Sequence, residues 1–484
     1  MKKPTVEKYL LPLLLLSAAI FYISVLDIFS TNGDPVDYWR AARRFFCGNG
    51  NIILHHRHVR FGIIVPVFFM QRIFSDHFLV YYATSLLVLM SEIWLVFLIS
   101  RKLFDSHVAW FSSIIFLLFP MHYVHGYAYS TNLYPAPFSA LYILASLYLI
   151  CSYLDSRKTV LIIVSALLAF IAYETKVTNV YFYPAFAFIL WKNKRDLVLF
   201  FGVLFLLFAV ETVLYASFTD YTLGRAGLLM NTHLSQEKHV GIGSFLSLLN
   251  RFVDLKFPYL FILVPFLFSC ALYIHAARAR NTTIIFSFSV SFLVCLTFAV
   301  KSIDPVIPVE RFNDRVFNTV LPFLVIFTVK TVRDALASMK IVVTDRIFRK
   351  IVIISQIALL VFSAVFAAVE NRSHTLFRSF RYHALLNDAL KSGTPVVALD
   401  RSAISKAFGV AQYILMDRCF ILKTGRGKTT VSSNGRSAVV HYLDNGETRE
   451  MLENIALDDP DVVVIDRTPF TAQKTKLGTL LEEE

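Results

Sequence analysis

Gly33-Asp34-Pro35-Val36-Asp37-Tyr38-Trp39-Arg40, and soon after it His55-His56-Arg57-His58-Val59-Arg60, lie in one stretch running from Ser30 to Asp76. The stretch follows directly on the first apolar segment and is mostly polar, whereas the chain up to Glu370 is otherwise mainly apolar segments joined by short, basic loops. A multi-spanning chain that gathers carboxylates, histidines and arginines in its first long loop places its chemistry at a membrane face. That loop separates an enzyme from a plain transporter.

The composition agrees with a bilayer environment. Of 484 residues, 56% are hydrophobic and 17% charged, against about 25% charged in soluble domains; the mean hydropathy is +0.60. The formal charge of +13 does not point to nucleic acid, because many basic residues sit at the ends of apolar segments. There they set topology and attract anionic head groups. Cys151, Cys270 and Cys295 fall in or beside apolar segments and read as packing residues, while Cys47 and Cys419 fall on one side and leave a disulfide open. The apolar run from Tyr9 to Phe29 is long enough to span, and no small-residue cleavage pattern follows it, so it reads as a retained helix.

Spanning helices need about 20 mainly apolar residues, which predicts about eleven, near 9–29, 78–100, 107–123, 134–154, 159–174, 177–191, 196–218, 257–276, 282–300, 312–330 and 350–369. Phe61–Phe74 is too short to span and reads as interfacial or re-entrant. Lys2, Lys3, Lys8, Arg101, Lys102, Arg157, Lys158, Lys192, Lys194, Arg195, Arg278 and Arg280 fall on one side with the 330–350 connection, which is therefore the cytoplasmic side. Loops 30–77, 122–133, 219–256 and 301–311, and everything after Glu370, fall outside. Beyond Glu370, Pro395–Asp400 and Asp461–Asp466 are buried-strand patterns, with helices expected at His383–Lys391 and Ile404–Phe408. The expected fold class is an α-helical polytopic membrane protein with interfacial helices in the first outer loop and a small C-terminal α/β extracytoplasmic domain. The domains divide as 1–370, with 30–77 its catalytic loop, and 371–484. Gly425-Arg426-Gly427-Lys428 lacks the spacing and context of a phosphate loop and reads as a turn.

Asp34 is the first residue of interest. Asp-Pro opening a helical run is a helix start; a carboxylate at the membrane surface is also placed to take a proton from an acceptor hydroxyl or amine. Both readings stand. Asp37, about one turn on, can orient substrate or bind a metal. His55, His56 and His58 lack a metal-ligand spacing, whereas Arg57 and Arg60 suit a phosphate through their planar forks; a solvated basic patch is the plainer reading. Glu174-Thr175-Lys176 sits at a helix end, where Lys176 either snorkels or meets an anionic head group. Arg311 and Arg315 flank the start of a later helix, again for phosphate or capping. Glu92 and Glu211 lie inside apolar segments, where ionisable groups are costly and often face an internal cavity.

Together these residues resemble the C-type polytopic glycosyltransferases, nearest the bacterial lipid-A aminoarabinose transferase, protein O-mannosyltransferase and lipopolysaccharide galacturonosyltransferase group. The resemblance covers 9–330. The family's acidic motif in the first outer loop, Asp-Glu-x-x-Tyr then alanine, reads here Asp34-Pro35-Val36-Asp37-Tyr38 with Ala41 and Ala42. Arg60–Pro66 resembles the surface helix before the second span, Ala172–Lys176 the Gly-x-x-x-Lys segment without its glycine, and Arg315 with Pro322 the Arg-Tyr…Pro pattern, with Arg311-Phe312 a rival alignment. Asn132 stands where an acid often precedes proline, so it can hydrogen-bond a sugar but not act as base.

The resemblance implies a transferase that moves a sugar from a polyprenyl-phosphate donor to an extracytoplasmic lipid, glycan or protein with inversion. Asp34 and Asp37 would be catalytic. Tyr38, His55, Arg57, His58, Arg60, Asn132, Glu174, Lys176, Arg311 and Arg315 would bind substrate. No cofactor is required and a divalent metal is left open. The partners are the lipid-linked donor, the acceptor and membrane lipids, not nucleic acid; the location is a bacterial inner membrane with the site facing the periplasm. A transporter or lipid flippase, and an O-antigen ligase or polymerase, are the rival readings.

Overall fold

The structure, a computed structural model, describes residues 7–24, 34–44, 59–74, 78–119, 122, 132–218, 260–275, 279–303, 306–308, 314–340, 344–369, 396–398, 421–424, 428–433, 436–442, 461–465 and 472–476. Helices form where the apolar runs stand, and at one polar stretch, α2 (Asp34–Arg44): α1 (Glu7–Ser24), α3 (Phe61–Phe74), α4 (Phe78–Leu103), α5 (Ser106–Leu117), α6 (Pro135–Ser156) and α7 (Thr159–Thr175). A 3-10 helix over Val177–Phe182 leads into α8 (Tyr183–Leu190), followed by α9 (Lys194–Phe218), α10 (Leu260–His275), α11 (Arg280–Phe298), α12 (Asp314–Ser338) and α13 (Asp345–Val369). Between α11 and α12 lies an antiparallel pair, β1 (Val300–Ile303) and β2 (Val306–Pro308). The ends follow local chemistry. Asp105 caps α5 by accepting from the backbone N–H groups of His107 and Val108 at 2.9 and 3.1 Å, satisfying donors that a helix start leaves open. Pro135 opens α6, and Arg157 closes it at a left-handed φ of 57°.

The chain divides into two compact units, one of residues 1–22, 54–63 and 85–362, the other of 23–53, 64–84 and 363–484. In the first unit, α6 packs on α7, α7 on α9, and α12 on α5, α6, α10 and α11. Small residues let α6 and α7 approach closely. The Ser146 and Ser165 hydroxyls stand 2.8 Å apart, and each lies within donating distance, 2.9 Å, of the other's carbonyl, with Ala140, Ala166, Ala169 and Ala172 buried on the same helices. This is the small-residue packing with polar links that joins helices where lipid removes the hydrophobic drive between them. Phe182, Phe186, Phe288, Phe292 and Phe323 fill the space between α8, α11 and α12, their centroids 4.7–5.8 Å apart, a range favourable for aromatic pairs.

One end of this unit is basic. Arg333 pairs with Asp105 and Lys330 with Asp334; Lys102 pairs with Asp155 at 2.6 Å and Arg157 with Asp196 at 3.7 Å. Asn281 donates to the carbonyl of Leu103 at 2.6 Å, bringing the start of α11 to the same end. Arg101, Lys158, Lys192, Lys194, Arg195 and Arg280 are exposed there. Among the described residues, the turns at 101–107, 155–158 and 190–196, with the start of α11 and the end of α12, are thus gathered at one end of the unit.

The expected fold class needs correction on two counts. Among the described residues, five helices are long and apolar enough to cross a membrane, not eleven: Leu79–Leu103, Pro135–Ser156, Lys194–Ser217, Arg280–Phe298 and Arg346–Val365. Tyr9–Ser24, Ser106–Leu117, Thr159–Thr175, Val177–Leu190 and Leu260–Ile274 are apolar but shorter. Ser106–Leu117 and Thr159–Thr175 end within the described residues, and helices of that length rise only about 18–25 Å at 1.5 Å per residue, less than the ~30 Å hydrocarbon core. The five are enough for a multi-pass membrane protein. Nor is the expected C-terminal α/β domain found among the described residues. Past Val369 the described residues are strands, with no helix among them; His383–Lys391 and Ile404–Phe408 lie outside the described residues.

In the second unit these strands, β3 (Val396–Ala398), β4 (Ile421–Thr424), β5 (Lys428–Ser433), β6 (Arg436–Tyr442), β7 (Asp461–Ile465) and β8 (Ala472–Lys476), form a sheet in the order β4-β5-β6-β3-β7-β8. β3 runs parallel to β6 and β7, and the other pairs are antiparallel. Asn434-Gly435 joins β5 to β6 in sequence, a dipeptide that favours a tight hairpin. In the same unit, α2 buries Pro35, Tyr38, Trp39, Ala41 and Ala42. Trp39 meets Tyr81 edge to face at 5.7 Å, and Gln71 donates to the Trp39 carbonyl at 3.1 Å.

Candidate functional site

At the end of the first unit opposite the basic turns, the start of α3 is pressed against the end of α7. Gly62 allows this. A Cβ at Gly62 would overlap Thr175 Oγ1 and stand 2.8 Å from the Ile171 carbonyl oxygen, so only a glycine fits without movement. Tyr142 from α6 donates to the Gly62 carbonyl at 2.8 Å, and Arg60 Nη1 reaches the Thr175 carbonyl at 3.5 Å. Thr175 ends α7, where carbonyls lack helical partners and the helix dipole is negative, so a guanidinium is favoured there. The turn itself is fixed by Asn179, whose side-chain amide donates to Ala172 O at 2.7 Å and to Lys176 O at 2.8 Å. Glu174 is buried, and Lys176 is half-buried beside the Arg60 contact.

The starts of α6 and α12 share this end. Ser139 and Thr319 hydroxyls are 3.3 Å apart, so the backbone of Arg315 stands one turn before a residue in contact with the first turn of α6. Asn132 lies in the turn that leads into α6, half-buried, with its carbonyl accepting from Tyr134 N at 2.8 Å. Asn318 is buried on α12. His122, beyond the far end of α5, is buried with its ring edge to face on Phe116 at 4.9 Å. Burial pushes its imidazole down to about 4, opposed by a backbone hydrogen bond at Phe116, so His122 is neutral near pH 7.

Arg60, Asn132, Glu174, Lys176 and the backbone of Arg315 are therefore brought to one end of one unit. Asp34 and Asp37 belong to the other unit: Asp34 is the first residue of α2, Asp37 is half-buried a turn on, and Tyr38 is fully buried. Asp34 thus stands at the helix start that the sequence marks. His55, Arg57, His58 and Arg311, with Cys47 and Cys419, lie outside the described residues. Among the described residues no three His, Cys, Asp or Glu side chains are grouped to hold a metal. Tyr142, Asn179 and His122 were not singled out from the sequence. A polar residue interrupting an apolar run is the signal that marks Asn318, whereas nothing local marks Tyr142.

This bundle is found in known structures. ArnT from Cupriavidus metallidurans in the apo state superposes with a TM-score of 0.51 at 11% identity, over 84% of this chain and 84% of that one. The fold is similar to that of ArnT. The same protein bound to undecaprenyl phosphate gives 0.47 at 12%, over 84% and 85%. The Archaeoglobus fulgidus oligosaccharyltransferase in complex with Zn and sulfate gives 0.49 at 11%, over 82% of this chain and 61% of that one. The family model for dolichyl-phosphate-mannose-protein mannosyltransferase matches residues 67–216, under half of the chain. No curated protein matches it. The resemblance read from the sequence is supported at the level of a C-type membrane glycosyltransferase fold, with no single family singled out.

Proposed function

We propose that the chain is a membrane glycosyltransferase that moves a sugar from a polyprenyl-phosphate donor to an extracytoplasmic lipid, glycan or protein. The observation that carries this reading is the meeting of Arg60 with the Thr175–Lys176 turn. It sets two cations at one end of an apolar helical bundle, which suits a phosphate whose lipid chain lies among helices. The mannosyltransferase family match over 67–216 and the likeness of fold to ArnT support it. In this reading the acceptor oxygen attacks the anomeric carbon from the face opposite the phosphate. The bond from that carbon to the phosphate oxygen breaks, the configuration inverts, and the acceptor proton passes to Asp34. Arg60, Lys176 and one of Arg311 or Arg315 stabilise the charge gained by the departing lipid phosphate.

Asp37, Tyr38, His55, Arg57, His58, Asn132 and Glu174 have supporting roles with substrate in the same proposal. So do the division of the chain at residue 370 and a bacterial inner-membrane location with the active end facing the periplasm. Purified protein incubated with labelled polyprenyl-phosphate sugars and membrane extract should transfer label from one donor. No transfer from any donor in the panel, in protein shown to bind polyprenyl phosphate, would turn the reading towards a flippase. The assay repeated with a chelator reads whether Asp37 acts through a divalent metal.

A further inference from the structure

A groove lies on the first unit, away from the Arg60–Lys176 turn. α8, the end of α10 and α11 enclose a groove of about 420 Å³ lined by Phe188, Ile274, Phe286, Val290, Thr283 and Ser287 among others. Its hydroxyls are already engaged. Tyr273 and Thr283 bond each other at 2.7 Å, Ser287 donates to Ile284 O at 2.7 Å, and Ser291 to Tyr181 O at 2.5 Å. What remains for a ligand is hydrocarbon, and the walls include side chains as open as Phe188 (56%) and Ile274 (60%).

The groove has a direction. Phe182 packs on Phe292 and Phe186 on Phe288, so α8 and α11 run antiparallel and the end of α8 comes level with the start of α11. Past those ends stand Lys192, Lys194 and Arg280, all exposed and with no ion pair among the described residues. The acids paired at that end, Asp105, Asp155, Asp196 and Asp334, are held by Arg333, Lys102, Arg157 and Lys330. An apolar channel thus opens beneath uncompensated positive charge. The 3-10 helix and α8 put roughly 24 Å of helix between Lys176 and this rim at about 2.0 and 1.5 Å per residue, so the rim is not the proposed donor-phosphate site.

We infer that the groove holds an acyl chain of an anionic phospholipid whose phosphate is bound by Lys192, Lys194 and Arg280. The apolar lining fits the chain, and the unpaired cations fit the head group. Native mass spectrometry of the full protein in detergent, with dioleoyl phosphatidylglycerol or dioleoyl phosphatidylcholine added at equal concentration, tests this. Retention of phosphatidylglycerol should be tenfold or more above phosphatidylcholine. The exposed-residue triple variant Lys192→Ala, Lys194→Ala, Arg280→Ala should bring it down to the phosphatidylcholine level, and Ser287→Trp should fill the groove and displace the lipid. Arg60→Ala should leave phosphatidylglycerol bound. Equal retention of both lipids, or unchanged retention in the triple variant, overturns the inference, as does loss of the lipid in Arg60→Ala alone. The triple variant alters only surface charge and decides the matter even where Ser287→Trp does not fold.

Discussion

Arg60 and Thr175, 115 residues apart, meet through a guanidinium nitrogen 3.5 Å from the carbonyl oxygen that ends α7. The contact gives Arg60 a structural role, because a cation at a helix C-terminus offsets the dipole by about 0.3–1 kcal/mol at an exposed site. It also brings Arg60 to the Lys176 turn, where a phosphate would be held between them.

Charge removal at this turn therefore has a split signature. Arg60→Ala and Lys176→Ala should each weaken binding of a polyprenyl-phosphate donor about tenfold, and acceptor binding much less. Arg60→Lys should keep most of the stability while losing part of the donor affinity, since an ammonium lacks the planar fork. Titration of donor and acceptor against the purified variants checks this. Equal loss for both ligands would leave Arg60 as a helix cap and nothing more.

The closeness of α3 and α7 rests on one missing side chain. Gly62→Ala should destabilise the protein by about 1–3 kcal/mol, the usual cost of overpacking, because the new Cβ collides with Thr175 and crowds the Ile171 carbonyl. Adding Thr175→Ala should restore part of the loss and not all, since the backbone oxygen stays. Thermal unfolding in detergent reads both. Full recovery would mean that only the Thr175 hydroxyl stands in the way.

The helical course was legible because apolar runs and their caps announce themselves locally: Pro135 opens α6 where the run begins, and Asp105 caps α5. The number of spans was not, because Ser106–Leu117 and Thr159–Thr175 carry the composition of a membrane helix without its length. The two valine-rich strands β3 and β7 were legible from their bounded apolar runs. β5 and β6 were missed although Asn434-Gly435 marks the link between them. At the candidate site the sequence offered Arg60 and Lys176 as separate cations at helix ends. Their common location depends on Gly62 and Tyr142, a tertiary contact that no spacing along the chain encodes.

His122 gives a pH signature. Its pKa is lowered by burial to about 4 from about 6.5 in the unfolded chain, so the unfolded state binds more protons between those values. Stability from this group is complete above pH 6.5 and falls as the pH drops toward 4. His122→Gln should flatten that part of the stability profile. A slope identical to wild type between pH 6.5 and 4 would assign the acid sensitivity elsewhere.

The gathering of basic turns at one end of the first unit predicts their side of the membrane. A cysteine placed at Ser156 should resist a membrane-impermeant thiol reagent in intact cells, and one at Ser402 should react. The reverse pattern would put the Arg60–Lys176 turn in the cytoplasm and remove the need for a lipid-linked donor.

Asp34 is the sharpest test. It opens α2, so Asp34→Asn gives up a charge in the first turn at a cost of about 0.3–1 kcal/mol, too little to prevent folding or insertion. Asparagine retains the shape and the hydrogen-bonding oxygen but cannot take a proton at neutral pH. If Asp34 is the general base, the variant should bind donor as wild type does and lose transfer by roughly 10²-fold or more. Asp37→Asn should cost less, because its part is to orient. Transfer by Asp34→Asn close to the wild-type rate, with Asp34→Ala merely lowering expression, would reduce Asp34 to a helix start. Asp37, half-buried on the same helix, would then be the next carboxylate to substitute.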